Sequence, residues 1–125
     1  MLVVKTKLRK SKIHGMGLFA DQNIKKGAVV WEFNPIIDKE VTKKQLKSLP
    51  NIAKKYLMKY SYLDENNKFV LCGDDGRFVN HSSHPNCDDE TGEKTIAKRD
   101  IKKGEELTSN YYSFDVSLKN QKSIK

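Results

Sequence analysis

The sequence predicts a single, mostly β domain that carries one helical insert. Three observations lead to this prediction. Short β-branched or aromatic runs recur along the 125 residues, one segment has its apolar residues at helical spacing, and an Ile-Lys-Lys-Gly turn occurs twice. One domain is expected because chains divide into several only well above this length.

Five segments are predicted to be strands because they alternate in polarity or are rich in β-branched and aromatic side chains. Two similar stretches, DQNIKKGAVV (21–30) and RDIKKGEEL (99–107), supply turns. In each, the glycine after Lys-Lys is free to adopt the positive φ of a turn. The predicted strands cover residues 3–10, 28–33, 68–72, 94–99 and 106–111.

One helix is predicted over residues 49–60. Ser48 is expected to cap it, and Pro50 suits the first turn, where its missing N–H is not needed. Its lysines are expected to face water while one apolar face packs on the sheets. That face is formed by Leu49, Ile52, Ala53, Tyr56, Leu57 and Tyr60, and the lysines are Lys54, Lys55 and Lys59.

Composition bounds the class of protein. The net charge is +8, from 24 basic and 16 acidic residues. This balance suits attraction to nucleic acid, although a lysine-rich solvated surface is the simpler explanation. No apolar run approaches the ~20 residues of a membrane span. The N-terminus lacks the apolar stretch of a secretory signal, and two cysteines do not make a disulfide framework. We therefore expect a soluble, intracellular protein.

The stretch RFVNHSSHPNC (77–87) has the side chains of a metal site. With Cys72 upstream, its His81, His84 and Cys87 would complete four zinc ligands. Their spacing matches no common zinc pattern, and Pro85 stiffens the loop that would have to fold around the ion. Scattered polar loop residues are the preferred interpretation, and a zinc-binding module is kept as an alternative.

The same stretch resembles the signature of SET-domain protein lysine methyltransferases, Arg-Phe-x-Asn-His-Ser-Cys-x-Pro-Asn-Cys. Two further motifs of that family occur in the family's order: HGMGLFA (14–20) resembles its glycine motif, and GEELTSNY (104–111) resembles its Gly-Glu-Glu-Leu-Thr-x-Asp-Tyr. The resemblance implies a single SET domain over residues 1–125, with a tail at 112–125, similar to the minimal stand-alone members. It also implies small antiparallel sheets, a C-terminal pseudoknot and a short helical insert.

The resemblance implies that the chain transfers methyl groups from S-adenosyl-L-methionine to the ε-amine of a protein lysine. Tyr111 matches the catalytic tyrosine of the family. The expected cofactor-binding residues are His14, Gly15, Met16, Gly17, Arg77, Asn80, His81 and Tyr111. The expected lining of the substrate lysine channel is Phe33, Ser109, Tyr112 and Phe114.

The chain departs from the family pattern at several places, among them Asn110 in place of a frequent aspartate. Ser83 replaces a cysteine that in many members helps to bind zinc, and no cysteine follows Cys87, so no metal is expected. The tail, or a second copy of the chain in a homodimer, is then expected to close the site. Ser109 stands where an aromatic side chain often limits the number of methyl groups, which suggests room for di- or trimethylation. Phe33-Asn34-Pro35 replaces a common Tyr-x-Gly.

The expected substrate is a basic nucleic-acid-associated protein such as a histone or a histone-like protein. The acidic run Asp88–Glu90 either receives basic residues beside the target lysine or forms a solvated loop. The protein is expected in the cytoplasm if prokaryotic and in the nucleus if eukaryotic or viral. The alternative is a catalytically inert SET-like module that binds nucleic acid or a protein.

Overall fold

The computed structural model describes residues 1–89 and 93–118. Its described part is built from short strands, joined by two α-helices and two turns of 3-10 helix. The strands are β1 Thr6–Lys10, β2 Met16–Ala20, β3 Val29–Glu32, β4 Lys39–Thr42, β5 Ser61–Leu63, β6 Lys68–Leu71, β7 Asn80–His81, β8 Cys87–Asp88, β9 Lys94–Ala97 and β10 Thr108–Ser109. The helices are α1 Lys43–Lys47 and α2 Asn51–Tyr60, and the 3-10 turns are Asp75–Phe78 and Tyr111–Ser113.

The strands pair into four small sheets within the described residues. β1 and β2 form an antiparallel hairpin, β9 pairs with β3 and β8, and β6 pairs with β4 and β5, all antiparallel. β7 and β10 instead run parallel. The predicted fold class, a mostly β protein of small antiparallel sheets, is therefore confirmed.

The two Ile-Lys-Lys-Gly turns lie side by side. Ile24 and Ile101 exchange both backbone hydrogen bonds, at 2.8 and 2.7 Å. Gly27 and Gly104 adopt φ values of +88° and +97°, as the turn prediction requires. Both isoleucines are almost fully buried. The repeated element thus builds one pseudo-symmetric corner of the core.

The main core gathers apolar side chains from the hairpin, the turns and the C-terminal motif. Leu18 and Leu107 are 0% exposed, and they are joined by the backbone hydrogen bond from the Leu107 N–H to the Leu18 carbonyl at 2.8 Å. Burying a side chain of this size stabilises the fold by roughly 1.5–3 kcal/mol. The remaining members of the cluster are Ala20, Ile24, Val30, Cys87, Ala97 and Ile101.

The helical segment begins later and packs less than the sequence predicted. α2 begins at Asn51 with Pro50 at its N-cap, and Ser48 instead ends the preceding helix α1. The prediction of Ser48 as the cap is wrong because a Thr42–Gln45 capping box starts an unpredicted helix just upstream. Of the predicted apolar face only Leu57 is buried, while Ile52 remains 83% exposed.

The parallel pair β7–β10 joins the two C-terminal motifs. Thr108 lies opposite Asn80, and Ser109 lies opposite His81. The strand predicted over 106–111 is therefore shortened to two residues, since the chain turns into a 3-10 helix at Tyr111. This pairing places residues from the middle of the chain directly against its C-terminal motif, as the predicted pseudoknot requires.

Asn86 stabilises the β7–β10 junction by hydrogen bonds to Glu106 and Thr108. Its Nδ2 donates to the Glu106 carbonyl at 2.8 Å, and its Oδ1 accepts from the Thr108 N–H at 2.9 Å. The Asn86 N–H donates to Thr108 Oγ1 at 3.1 Å. Since Asn86 is 3% exposed, its side chain replaces water as the partner of these backbone groups.

Within the described residues, no helix has both the length and the apolar character needed to cross a membrane.

Replacing Asn86 with alanine should lower the free energy of unfolding by about 2–4 kcal/mol, because it leaves buried backbone groups of Glu106 and Thr108 unpaired. Urea denaturation followed by circular dichroism measures the change. The matched control is Asn66→Ala at an exposed turn residue, which should stay within about 0.5 kcal/mol of wild type. Equal effects of the two variants would show that Asn86 does not hold the junction.

Candidate functional site

The three sequence motifs meet at the amide of Asn80. Its Nδ2 donates to the carbonyls of His14 and Met16 at 3.0 and 3.2 Å, and to Glu106 Oε2 at 2.9 Å. Asn80 is 8% exposed, so these partners take the place of water. One side chain therefore joins the glycine motif, the Asn-His motif and the Gly-Glu-Glu-Leu motif.

Glu106 extends the network to the loop before β2. Ser11 Oγ lies 2.7 and 2.9 Å from the two carboxylate oxygens, and it accepts from the Ile13 N–H at 2.9 Å. The Ser11 N–H closes the loop on the Gly15 carbonyl at 2.7 Å. Charge-assisted hydrogen bonds of this kind are the stronger ones in proteins. Sequence reasoning missed Ser11 and Glu106; the acidic pair in GEEL was the available signal.

Gly15 and Gly17 of the glycine motif are each glycine for a different structural reason. Gly15 has a φ of +46°, and a Cβ there would meet nothing within 4 Å, so its backbone faces open space. A Cβ on Gly17 would instead lie 2.4 Å from Glu106 Oε2. Gly17 is thus required by the packing of the Glu106 carboxylate, whereas Gly15 is favoured by its left-handed backbone.

His81 supports the backbone of Tyr111. Its Nδ1 accepts from the Tyr111 N–H at 3.1 Å, which requires that nitrogen to be unprotonated. The ring packs against the rings of Tyr111 and Tyr112, with centroids 5.3 Å away in each case. The histidine therefore positions the 3-10 turn that carries the predicted catalytic tyrosine.

The Tyr111 hydroxyl donates to the carbonyl of Val79. Burial, together with the carboxylates of Asp89 and Glu106, raises the pKa of Tyr111 to about 12. The phenol is consequently neutral at any working pH and is held against Val79, the residue just before β7.

A cavity of about 110 Å³ lies beside Tyr111. Tyr111, Ser109 and Phe114 line it, and Phe114 packs edge-to-face on Tyr62 with centroids 5.0 Å apart. The exposed Lys59 is also among the lining residues, so the cavity reaches the protein surface. Three of the residues expected at the lysine channel and the catalytic position thus share one opening.

Of three other predicted residues, Phe33 and Tyr112 lie outside the cavity lining, whereas Arg77 belongs to it. Phe33 does not line the cavity; its ring lies 6.4 Å from that of Trp31. Tyr112 packs on His81 outside the cavity lining. Arg77 donates to the Cys72 carbonyl at 3.1 Å and to the Tyr56 hydroxyl, so it lines the cavity and is not part of the Asn80 network. Its contacts attach the Asp75–Phe78 turn to α2.

Asp89 also lies in a different environment from the one that the sequence predicted. The sequence offered it as part of an acidic surface run, but its side chain lines the cavity and the residue is 8% exposed. Burial raises the pKa of Asp89, opposed by the hydroxyls of Ser109 and Thr95. Asp88 is exposed as expected, and Glu90 lies outside the described residues.

The residues considered for zinc do not converge. His81 Nδ1 is engaged by Tyr111, and His84 Nδ1 lies 3.1 Å from Ser83 Oγ. Burial raises the pKa of both Cys72 and Cys87 to about 12, which disfavours the thiolates that zinc requires. Over residues 1–89 and 93–118, no group of three His, Cys, Asp or Glu side chains is arranged to hold a metal ion.

Comparison with known proteins identifies the family. The family model described as "SET domain" matches residues 15–112, and the chain belongs to this family. It is 34% identical over 125 residues to the histone-lysine N-methyltransferase trr of Drosophila melanogaster, covering 92% of this chain. It is 30% identical over 120 residues to an H3 lysine-36 specific histone-lysine N-methyltransferase of Candida albicans, covering 86% of this chain.

The chain spans only a small part of these relatives, 5% of the first and 14% of the second. Among solved structures it is similar to a chain of the Chaetomium thermophilum Polycomb Repressive Complex 2 bound to the inhibitor GSK126, with a TM-score of 0.69 at 22% identity. The match covers 97% of this chain and 17% of that one. At this identity the likeness shows the fold, which is the SET fold.

The clash at Gly17 gives a testable coupling. Gly17→Ala should destabilise the protein by about 1–3 kcal/mol because the new methyl group displaces the Glu106 carboxylate. In a Glu106→Ala background the same substitution should cost much less. Gly15→Ala is the control, since its cost of about 1 kcal/mol comes from the left-handed backbone and should not depend on Glu106. Denaturant unfolding of all the variants measures the coupling, and strictly additive costs for Gly17 and Glu106 would contradict the packing described above.

Proposed function

We propose that this chain is a protein-lysine N-methyltransferase that uses S-adenosyl-L-methionine and acts on a histone or histone-like protein. The single observation that carries the proposal is the meeting of the three SET motifs at Asn80, next to the cavity that holds Tyr111. The names of the chain's curated relatives support the reaction class.

The residues present suit the proposed cofactor. S-adenosyl-L-methionine supplies a methyl group already activated on a positively charged sulfonium. The backbone of Gly15 is open to approach, because a Cβ there would meet nothing within 4 Å. The site also contains oxygens: the Glu106 carboxylate, which accepts from Asn80, and the Tyr111 phenol, which donates to the Val79 carbonyl. Oxygen acceptors and a carboxylate favour a cation and polarised methyl C–H groups. We assign cofactor binding to His14, Gly15, Met16, Gly17, Asn80 and His81, and keep Arg77 as a predicted contributor.

Tyr111 acts as a neutral phenol in this proposal. With a pKa of about 12, it keeps its proton and donates a hydrogen bond to the Val79 carbonyl, so its oxygen lone pairs remain free to orient a methyl group. It does not serve as the base that deprotonates the lysine. The lysine side chain has a reference pKa of about 10.4, so presenting it as a neutral amine at pH 7 costs roughly 4–5 kcal/mol. A cavity walled by aromatic rings lowers this cost by disfavouring the ammonium form.

The substrate follows from charge and from the relatives. A chain with a net charge of +8 is attracted to nucleic acid, and therefore to proteins that are bound to it. Histones are such proteins, and the two curated relatives are named for acting on them. Such a substrate would place the chain in the nucleus of a eukaryotic or infected cell. Ser109, 3% exposed at the cavity wall, leaves room for a second or third methyl group.

Purified chain, labelled S-adenosyl-L-methionine and a mixture of core histones should yield label on lysine. Tyr111→Phe should lower kcat by about 10–1000-fold, as expected when one preorganised group at the reacting atoms is lost. Mass spectrometry of the histones, after incubation with excess cofactor, reports the number of methyl groups per lysine.

Tyr56→Phe is the matched control, because the Tyr56 hydroxyl contacts Arg77 and its side chain does not line the cavity. Its kcat should stay within about twofold of wild type, a difference below 0.5 kcal/mol in barrier height. No labelled lysine on any histone, or a Tyr111→Phe variant as active as wild type, would contradict the proposal.

A further inference from the structure

Most of the net positive charge of the chain lies in one short stretch. Residues 41–63, which hold α1 and α2, contain six lysines and no acidic residue. This stretch, the basic insert, therefore contributes +6 of the net charge of +8, and the rest of the chain contributes only +2. Its lysines are Lys43, Lys44, Lys47, Lys54, Lys55 and Lys59.

The charges of the basic insert are exposed and are not neutralised within the fold. All of its lysines except the half-buried Lys54 are exposed. None of the six forms an ion pair with another described residue, and the nearest acidic residue in the sequence, Glu40, pairs with Lys68 of β6. Like charges this close together repel one another, and an anionic partner relieves that repulsion.

The lysines form an extended row along two helices. Lys43 and Lys47 are one helical turn apart on α1, and Lys55 and Lys59 are one turn apart on α2. The members of each pair therefore lie about 6 Å apart on one side of their helix. Residues 48–50 alone separate the two helices, so the row continues from one helix to the next. Such a row suits a partner whose negative charges are also repeated at short intervals.

The row ends at the opening of the cavity beside Tyr111. Lys59 and Tyr60, the last two residues of α2, line the cavity, and Lys59 Nζ lies 5.2 Å from the centre of the Tyr60 ring. Arg77, also in the cavity lining, has its guanidinium carbon 5.8 Å from the centre of the Tyr56 ring. A polyanion bound along the basic insert would therefore lie next to this opening.

We propose that the basic insert binds duplex DNA through its phosphates and holds the cavity opening against a protein bound to the same DNA. The contact with DNA follows from the position of the charges, whereas its consequence for methylation rests on the proposed function. That function already gives the cavity a histone as substrate, and histones are bound to DNA. The insert would then favour histones that are wrapped in DNA over free ones.

Duplex DNA suits the basic insert better than an acidic protein does. The insert contains no arginine, whose planar fork suits fixed recognition of a carboxylate, and its lysines are flexible point charges. The duplex carries one negative charge per ~1.7 Å of its axis, whereas an extended acidic peptide carries at most one per about 3.3 Å. DNA therefore releases more counterions when the same lysines bind, and the attraction is stronger.

The salt dependence of binding to a fluorescent DNA duplex tests the surface. If each of the six lysines contacts one phosphate, the affinity of wild type should fall about 1000-fold between 50 and 200 mM salt. A variant with two contacts left should lose only about tenfold over the same range. That variant combines Lys43→Gln, Lys44→Gln, Lys47→Gln and Lys55→Gln. Fluorescence anisotropy measures the affinities, and circular dichroism checks that the helices are retained. Absence of DNA binding by wild type at 50 mM salt would overturn the proposal.

The matched control removes four lysines from the two Lys-Lys-Gly turns. These lysines are also exposed, and both variants have a net charge of +4. The turns have carboxylates nearby, since Lys103 Nζ lies 3.9 Å from Asp21 Oδ1 and Asp100 accepts from the Lys26 N–H. The control should keep the wild-type salt dependence, and equal losses in both variants would overturn the proposal. It combines Lys25→Gln, Lys26→Gln, Lys102→Gln and Lys103→Gln.

A polyglutamate peptide in place of the duplex separates nucleic acid from an acidic protein as the partner. Wild type should bind the duplex at least about tenfold more tightly at the same salt concentration, because the charges of DNA are more closely spaced. Equal or tighter binding of polyglutamate would show that the basic insert takes an acidic protein, and would overturn the proposal.

Methyl transfer to nucleosomes and to free core histones measures the consequence for the proposed reaction. The ratio of kcat/KM for nucleosomes to kcat/KM for free histones should be about tenfold lower in the insert variant than in wild type or the control, because binding to DNA raises the local concentration of the histone. An unchanged ratio would contradict the role in substrate choice. DNA binding by the insert without methyl transfer would support the surface and refute the proposed function, and methyl transfer without DNA binding would do the reverse.

Discussion

The site depends on one buried amide that reaches three segments at once. Asn80 has a single NH2 group, and its three acceptors belong to the glycine loop and to Glu106 of the C-terminal motif. A neutral donor held between two carbonyls and a carboxylate keeps those oxygens from repelling one another in a region from which water is largely excluded. Without it, Ser11 would be the remaining hydrogen-bond partner of the Glu106 carboxylate among the described residues, and the glycine loop would lose its anchor on β7.

Backbone pairing makes this arrangement possible. The parallel bonds between β7 and β10 fix the offset of the two motifs, and Asn86 satisfies the backbone groups next to that pair. His81 then fixes the start of the Tyr111–Ser113 turn, because its Nδ1 accepts a hydrogen bond from the Tyr111 N–H. Tyr111 is therefore placed by contacts that begin at Asn80, although about thirty residues of sequence separate the two. Parallel pairing is slightly less stable per residue than antiparallel pairing, so the added hydrogen bonds of Asn86 support this short pair.

Local sequence patterns predicted much of the framework because their physical causes are local. Strands β3, β6 and β9 lie within predicted segments, and both Lys-Lys-Gly turns have the expected positive φ. The motif resemblance also predicted that the glycine loop and Asn80 belong to one site, and their hydrogen bonds bring the two together. The prediction of Ser48 as a helix N-cap was wrong because the Thr42–Gln45 capping box, a few residues upstream, starts a separate helix that ends at Ser48. The exposure of Ile52 and the pairing of the two turns depend on tertiary packing, which periodicity does not encode.

The roles of individual acidic residues were beyond sequence reasoning for a related reason. Glu106 and Asp89 each sit in a run of charged residues, where the usual expectation is a solvated surface. Glu106 instead accepts hydrogen bonds from Asn80 and Ser11, and Asp89 lines the cavity beside Tyr111. Ser109, which is 3% exposed, lines the same cavity. The lysine-rich protein therefore has a cavity whose lining includes the carboxylate residue Asp89.

Calorimetric titration of S-adenosyl-L-methionine into the wild-type chain and into Asn80→Ala tests most directly whether Asn80 assembles a cofactor site. Wild type should bind stoichiometrically. The variant should bind at least about tenfold more weakly, equivalent to 1.4 kcal/mol, because the glycine loop loses the amide that holds its carbonyls. Asn66→Ala, at an exposed turn, should bind as wild type does. No binding to wild type, or equal affinity for Asn80→Ala, would contradict the claim that Asn80 assembles a cofactor site.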